Sequence, residues 1–368
     1  MDRSRSGRSL KRSSRHPVTS VERLQGINLR QFKTDGQPSM KLSRLGEFGL
    51  IEKIRRATPK GRGVLLGIGD DAAWVANPFR SSLVTADLLI EGIHFDLKWT
   101  SLFDLGYKTL AVNLSDIAAM GGMPAYLILS LGIPATFDSR DVEEFYRGIR
   151  SLAARHGVAL VGGDTNAAKF LIISACVLGH APHRPIRRSG AQAGDDIYVT
   201  GTLGDSALAL KFLKSRSLRV NRDSVRYLLS RHHRPTPRVA AGTLLARERL
   251  ATAMIDVSDG LIQDLGHICK ASAIGAQIWQ DRLPLSRAYR KLAGTAGTRY
   301  ALSGGEDYEL LFFARKHDRP RIEKLQTPAR VAITRIGICD SGKNGIVVLD
   351  AAGNPVEIRA AGHDHFKK

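Results

Sequence analysis

Residues 112–122 read VNLSDIAAMGG, an apolar and small-residue run carrying one charge, Asp116, near its middle. The run continues an apolar pattern that begins at Leu102, and the periodicity predicts a helix buried on most sides. An ionised carboxylate removed from water without a partner costs several kcal/mol or more, so it is normally paired, protonated or metal-bound. Taken alone, Asp116 fits a helix cap or a partner for a surface arginine just as well. The rest of the chain favours the metal, because the arrangement recurs in GIGDD (67–71), VTAD (84–87), LVGGD (160–164) and MIDVSD (254–259). Each of these puts Asp at the end of a short apolar run with a small residue nearby. Strand ends that deliver carboxylates to one place predict a metal and phosphate centre.

The candidate acids are Asp70, Asp71, Asp87, Asp116, Asp164, Asp256 and Asp259. Two unit charges about 4 Å apart repel by roughly 4 kcal/mol at an effective dielectric near 20, so several carboxylates converge only where cations neutralise them. Oxygen ligands without His or Cys spacing favour a hard ion, Mg²⁺ before Ca²⁺ or Zn²⁺, and Mg²⁺ held by few carboxylates usually accompanies a polyphosphate. Glycines beside the acids (Gly69, Gly162, Gly163, Gly304, Gly305) allow a phosphate to approach the backbone closely. SGKNG (341–345) lacks the rest of a Walker loop and reads as a surface turn. GIGDDA (67–72) matches the dinucleotide fingerprint only weakly, because AWVANP after it is not a helix start. No Ser/His/Asp hydrolase elbow appears, and Gly204-Asp205-Ser206 reads as a helix cap.

Composition narrows the classes. With 368 residues, 43% hydrophobic and 24% charged, the chain is globular and long enough for two cores. Its longest apolar stretches, such as 126–133, fall well short of the roughly 20 residues of a membrane span. Cys176, Cys269 and Cys339 are odd in number and far apart, which argues against a disulfide framework or zinc site and fits a reducing cytoplasm. The net charge is +20. Residues 1–40 hold nine Lys/Arg against three Asp/Glu and contribute +6 of it. Only 6% of residues are aromatic and no dense basic stripe is interleaved with them, so nucleic-acid binding is not expected as the main function.

In chain order, residues 1–40 lack apolar periodicity and read as a basic, disordered extension. Its composition also resembles a transit peptide, and translation from Met40 is a third reading. A helix is expected over 46–57 and strands over 64–68 and 82–86. The buried helix follows, then a strand over 125–133, a helix over 139–155, a strand over 158–161 ending in Gly162-Gly163-Asp164, and a strand over 171–178. The Pro- and charge-rich segment 180–196 marks the boundary. Beyond it come a strand at 197–200, a helix from Asp205, and helices near 223–231 and 236–248, the latter started by Pro237. A strand at 253–256 leads to a helix reaching Ala273 with Ser258 as its N-cap, and strands at 276–279, 308–314, 331–338 and 345–349 complete a mixed α/β pattern.

Several longer segments are jointly specific: GEFGLI (46–51), GIGDDAA (67–73), AVNLSDIAAMG (111–121), GGDT (162–165), RSGAQAGDDIYVTGTLGDSA (188–207), IDVSDGLIQDLGHI (255–268) and LSGGEDYEL (302–310). On these the chain resembles the thiamine-monophosphate kinases from about Gly46 to Phe366. The resemblance implies the two-domain α/β (mixed α+β) fold shared with aminoimidazole ribonucleotide synthetase, and with the composition read above the chain divides as 1–40, 41–188 and 189–368. It also implies a homodimer formed by the N-terminal sheets and the reaction ATP + thiamine monophosphate → ADP + thiamine diphosphate. It assigns several Mg²⁺ ions to Asp71, Thr85, Asp87, Asp116, Asp164, Asp256 and Asp259. ATP falls to Gly163, Asp164, Arg188 and Ser258, and thiamine phosphate to His94, Glu306 and His363. Asp70 matches the motif with a supporting role only.

Two positions depart from the family. Ala86 stands where relatives can have a Thr ligand, and His363 stands where an aromatic residue usually faces the substrate. Other superfamily members fit less well. Selenophosphate synthetase needs a reactive Cys or selenocysteine near the N-terminal glycine motif, and no Cys precedes Cys176. The hydrogenase-maturation relative ends in a Cys-bearing tail, whereas this chain ends in HDHFKK. From another class, a non-catalytic RNA-binding or scaffold protein would use the basic extension.

Overall fold

The computed structural model describes residues 64–66, 70–71, 73–76, 81–215, 222–341 and 345–357. The basic extension, the helix expected over 46–57, Gly69 and His363 lie outside the described residues. The elements run β1 (Val64–Leu66), β2 (Ala73–Ala76), β3 (Ser81–Ile90), α1 (Leu102–Ala119), β4 (Met123–Pro134), α2 (Ser139–His156), β5 (Ala159–Ala168) and β6 (Ile172–His180). They continue with β7 (Asp196–Thr200), α3 (Asp205–Ser215), α4 (Arg222–His233), α5 (Val239–Arg247), β8 (Ala253–Asp256), α6 (Leu261–Ser272) and β9 (Gly275–Trp279). The last are α7 (Arg287–Leu292), α8 (Arg299–Ser303), β10 (Leu310–Ala314), α9 (Arg319–Ala329), β11 (Ile333–Asp340) and β12 (Ile346–Leu349). The strands form two six-stranded sheets, ordered β1-β2-β3-β6-β4-β5 and β12-β9-β11-β7-β10-β8. Pairing is antiparallel except between β4 and β5 and between β9 and β12.

Helix α1 is the hub. Ser101 caps its start by accepting from the Asp104 N–H, and nearly every residue from Leu105 to Ala119 is buried. The inner face of the first sheet (Leu83, Leu127, Leu129, Val177), α2 (Phe145, Ile149), α5 (Leu245) and the second sheet (Met254, Phe312) all pack into one cluster with it. Two glycines permit the α1–α2 crossing: a Cβ on Gly106 would lie 1.9 Å from the Phe145 carbonyl oxygen, and one on Gly148 1.9 Å from that of Phe103. The all-round apolar pattern of α1 therefore reflects contacts on every side. Helix α2 is the contrasting amphipathic case, opened by a capping box between Asp138 and Asp141 and closed by left-handed Gly157.

Three expectations change. The strand expected to end before Gly162 runs through it, because β5 pairs with β4 from Tyr126/Ala159 to Pro134/Ala168. Ser258 is not an N-cap: α6 begins after Gly260, and the side chain of Asp264 accepts from the N–H groups of Asp259 and Gly260 instead. Helix α5 starts at Val239, two residues beyond Pro237. No helix among the described residues is long and apolar enough to cross a membrane, and all three cysteines are free.

Candidate active site

Four elements bring acids to one cleft. Strand β3 alternates, so Leu83 and Thr85 face the core while Ala86 and Leu88 are exposed on the other face. Asp87 shares the inner face with Thr85. Helix α1 contributes Ser115 and Asp116, β8 ends at Asp256, and Asp70 and Asp71 arrive from the turn before β2. Carboxylate oxygens of Asp71, Asp116 and Asp256 lie within 4.8 Å of one another.

Among the described residues one guanidinium, that of Arg188, stands against this whole group of acids. Thr85 donates its hydroxyl to Asp116 at 2.5 Å, and Ser115 donates to Asp256 at 2.6 Å. Arg188 reaches Asp71 at 2.6 Å, while its backbone N–H donates to Asp70 at 2.9 Å. The second oxygen of Asp71, Oδ2, is buried with no hydrogen-bond partner. Burial, then the charges of Asp87, Asp256 and Asp71, push Asp116 well above the carboxylate range. Asp256 is pushed up to about 8, by burial first and Asp71 next, and burial takes Asp87 to about 6. Asp70 also rises to about 6 through burial and its neighbour Asp71.

An orphaned, buried carboxylate oxygen within an all-oxygen donor set suits a hard divalent cation, so the residues fit Mg²⁺. A second group, Asp259, Asp264 and His267, also has ligand atoms within 4.8 Å of one another. There Gln263 donates to Asp259 at 3.1 Å.

The other wall comes from LSGGEDYEL. Its backbone follows the segment after β8: Glu306 N–H donates to the Ser258 carbonyl at 2.7 Å and Tyr308 N–H to that of Val257 at 2.8 Å. A Cβ on Gly305 would sit 2.4 Å from the Ser258 oxygen, so only glycine allows this approach. Glu306 and Tyr308 both have left-handed backbones, with φ of 65° and 51°. Glu306 and Tyr308 serve the cleft, whereas Asp307 and Glu309 serve the interior. Asp307 accepts from Gly204 N–H at 2.6 Å, and Glu309 takes Arg231, a two-pronged Arg238 and Thr200. The Tyr308 phenol is raised far above its ordinary value by burial first and then by the charges of Glu306, Asp87, Asp256 and Asp116.

Glu306 is held by residues that the sequence reading missed. Lys108 of α1 pairs with its Oε1 at 2.7 Å and His232 Nδ1 approaches its Oε2 at 3.2 Å. Burial alone would raise this carboxyl; the charge of Lys108 holds it below the usual range. His232 is driven down to about 3 by burial and Lys108, so its ring is neutral. The signal for Lys108 was available, since it is a second charge in the buried run that contains Asp116. His94 accepts the Ile90 N–H on Nδ1 at 3.0 Å, leaving Nε2 as the protonated, donating nitrogen.

Not every expected ligand converges. Asp164 stands in register with Ser130 on the exposed face of the first sheet, where it accepts from Thr165 N–H and Asn166 Nδ2. The side chain of Ala86 lies on that same exposed face, so it offers nothing to the acids on the other side. Gly163, with φ of 155°, packs its α-carbon against the Leu129 carbonyl.

Residues 69–181 match the family model described as AIR synthase related protein, N-terminal domain. The thiamine-monophosphate kinase of Salmonella typhimurium is 42% identical over 326 residues, covering 87% of this chain and 98% of the relative. A crystal structure of thiamine-monophosphate kinase from Stenotrophomonas maltophilia K279a aligns with a TM-score of 0.70 at 42% identity, covering 84% of this chain and 98% of that one. A structure described as AaThiL complexed with AMPPCP and TMP aligns with a TM-score of 0.77 at 32% identity, over 89% of this chain and 100% of the other. With this level of identity sustained along nearly the whole relative, the chain belongs to the thiamine-monophosphate kinase family.

Proposed function

We propose that the protein transfers the terminal phosphoryl group of ATP to thiamine monophosphate, giving thiamine diphosphate. The observation that carries this reading is the convergence of Asp71, Asp116 and Asp256 on one buried point, where an oxygen has no partner. Family membership and the relative described as complexed with AMPPCP and TMP supply the substrates.

Asp71, Asp87, Asp116 and Asp256 are the residues to hold Mg²⁺, with Thr85 orienting Asp116 and Ser115 orienting Asp256. Bound there, the metal would neutralise the charge of two phosphate groups brought face to face. Asp259 is the candidate for a further ion. Arg188, fixed by Asp70 and Asp71, offers guanidinium donors to ATP phosphate oxygens, and Ser258 lies on the adjoining loop. His94 offers an Nε2–H donor to the acceptor substrate, and Glu306 offers an anion to its cationic ring. The attacking group is a phosphate oxygen whose second pKa is about 6, so it is ionised at neutral pH and no general base is required.

The outer face of the first sheet supports a homodimer. Leu88, Tyr126 and Ile128 are 51%, 52% and 39% exposed on a sheet whose other face is already packed. An antiparallel sheet with one wet face should present polar residues there. A second copy covering this face also sets Asp164 at the junction, which is a reason to keep Asp164 among the ATP and metal candidates. Ile128→Glu should shift the mass measured by light scattering from dimer to monomer. We divide the chain at residue 188, after the linker from β6 has reached β8 of the second sheet through the Met254 N–H to Arg187 carbonyl bond, and the three free cysteines support work in a reducing cytoplasm.

The test is ATP consumption with and without thiamine monophosphate, with thiamine diphosphate identified chromatographically. Consumption that does not respond to thiamine monophosphate would sink the proposal.

A further inference from the structure

We propose that Lys108 reads the phosphate of the acceptor substrate, and that its ion pair with Glu306 is a resting state which the substrate takes apart. This rests on thiamine monophosphate being the acceptor.

The side chain of Lys108 is 6% exposed, and within the buried run from Leu105 to Ala119 the other charged residue is Asp116. An ammonium has three donors, and among the described residues Glu306 is its one ion-pair partner. A buried ion pair is a poor way to add stability, because desolvation offsets most of the attraction.

Glu306 does not depend on Lys108 for its position. Its backbone is fixed by the bond to Ser258, the left-handed turn and the Tyr308–Val257 bond, and its other oxygen meets His232. His232 is in turn within 2.9 Å of the Ser206 hydroxyl. Removing Lys108 would leave Glu306 anchored by its backbone and by His232, with its carboxyl rising again until a cationic ligand takes the place of the ammonium.

The charges match the substrate. Thiamine monophosphate carries a fixed positive thiazolium ring and a phosphate monoester, and Lys108 and Glu306 present the opposite charges side by side. A zwitterion entering the cleft can replace the internal pair without leaving either buried charge alone. Glu306 takes the ring and the ammonium turns on its flexible stem to the phosphate.

The helix sets the direction. Lys108 and Ser115 are seven residues apart and share a face of α1, and Ser115 holds Asp256. Lys108 lies about 12 Å along the axis from Asp116, so a phosphate between them is within reach of both the ammonium and the acidic centre. The bond from Lys108 would go to a non-attacking phosphate oxygen.

The experiment compares thiamine monophosphate with thiamine, which has the ring but no phosphate, by calorimetry in Mg²⁺ buffer without nucleotide. Lys108→Met should weaken thiamine monophosphate binding by about ten- to a hundredfold, the range of a hydrogen bond to a charged group. Thiamine binding should stay within about twofold under the same assignment. Lys108→Gln should show the same split should the Met variant fold poorly, and Lys108→Arg should retain most of the preference for the phosphorylated ligand. Equal losses for both ligands would make Lys108 a support for Glu306 and overturn this assignment alone. Unchanged thiamine monophosphate binding would do the same. A wild-type protein that binds neither ligand would overturn the substrate reading together with it.

Discussion

Asp256 and Glu309 stand on neighbouring backbone, for β8 pairs with β10 so that Asp256 faces Leu310, and Val257 N–H donates to the Glu309 carbonyl. Both side chains are buried, at 2% and 0% exposure. On the inner side, Glu309 is met by Arg231 at 2.7 Å, by both prongs of Arg238 at 2.6 Å, and by Thr200. On the cleft side, Asp256 has one serine hydroxyl and lies near Asp71 and Asp116. The interior carboxylate is supplied with cations by the chain itself. The cleft carboxylates are left short of them, and that shortage distinguishes a site built for an external cation from an ion pair that holds the fold.

The comparison predicts opposite phenotypes. Glu309→Gln removes the one charge on which two buried guanidiniums converge and should cost about 3–5 kcal/mol of folding stability. Of a total near 5–15 kcal/mol this is a large share, visible as a shifted midpoint in urea. A variant as stable as wild type would mean that Arg231 and Arg238 find other partners and that the interior set is not structural.

Asp116→Asn should do the reverse. Turnover should fall at least about a hundredfold, or ~2.7 kcal/mol of barrier. The melting temperature should hold or rise, because Asn replaces a buried acid whose ionisation is opposed by burial and by the neighbouring carboxylates. Near-normal turnover would remove Asp116 from the reacting centre; loss of folding would make it an interior residue like Glu309.

Much of the cleft side was readable from sequence, because a charge at the end of an apolar run is a local signal. Asp71, Asp116 and Asp256 each announced themselves in this way, and the all-round apolar pattern around Asp116 gave the buried helix. The interior side was not readable. In LSGGEDYEL the division of labour between Glu306 and Tyr308 on one side and Asp307 and Glu309 on the other follows from left-handed backbone at two residues that are not glycine. Propensity gives no warning of that. Arg231 and Arg238 lie more than 70 residues from Glu309 in sequence, and Lys108 is farther still from Glu306, so only the folded chain pairs them. Ser258 as a helix cap failed for a related reason: Asp264, one turn into the helix, reaches back to the same N–H groups and leaves Ser258 to receive Glu306.

The smallest effect sharpens the contrast most. Asp256 and Asp307 are both pushed up to about 8, so each keeps its proton in the folded protein at a pH where the unfolded chain has lost it. The folded state then binds more protons, and stability falls as pH rises between about 4 and 8, by up to about 1.4 kcal/mol per pH unit for each group. The two differ in what reverses the loss. Asp307 is buried and accepts from the N–H groups of Gly204 and Ser206, one on each carboxylate oxygen. Asp256 opens on the acidic centre, so Mg²⁺ should restore its share. Thermal melts with chelator and with Mg²⁺ should therefore differ more at pH 8 than at pH 6.5, and Asp256→Asn should reduce that difference while Asp307→Asn should not. A magnesium effect equal at both pH values, or one that survives Asp256→Asn intact, would show that the cleft is no more in need of cations than the interior.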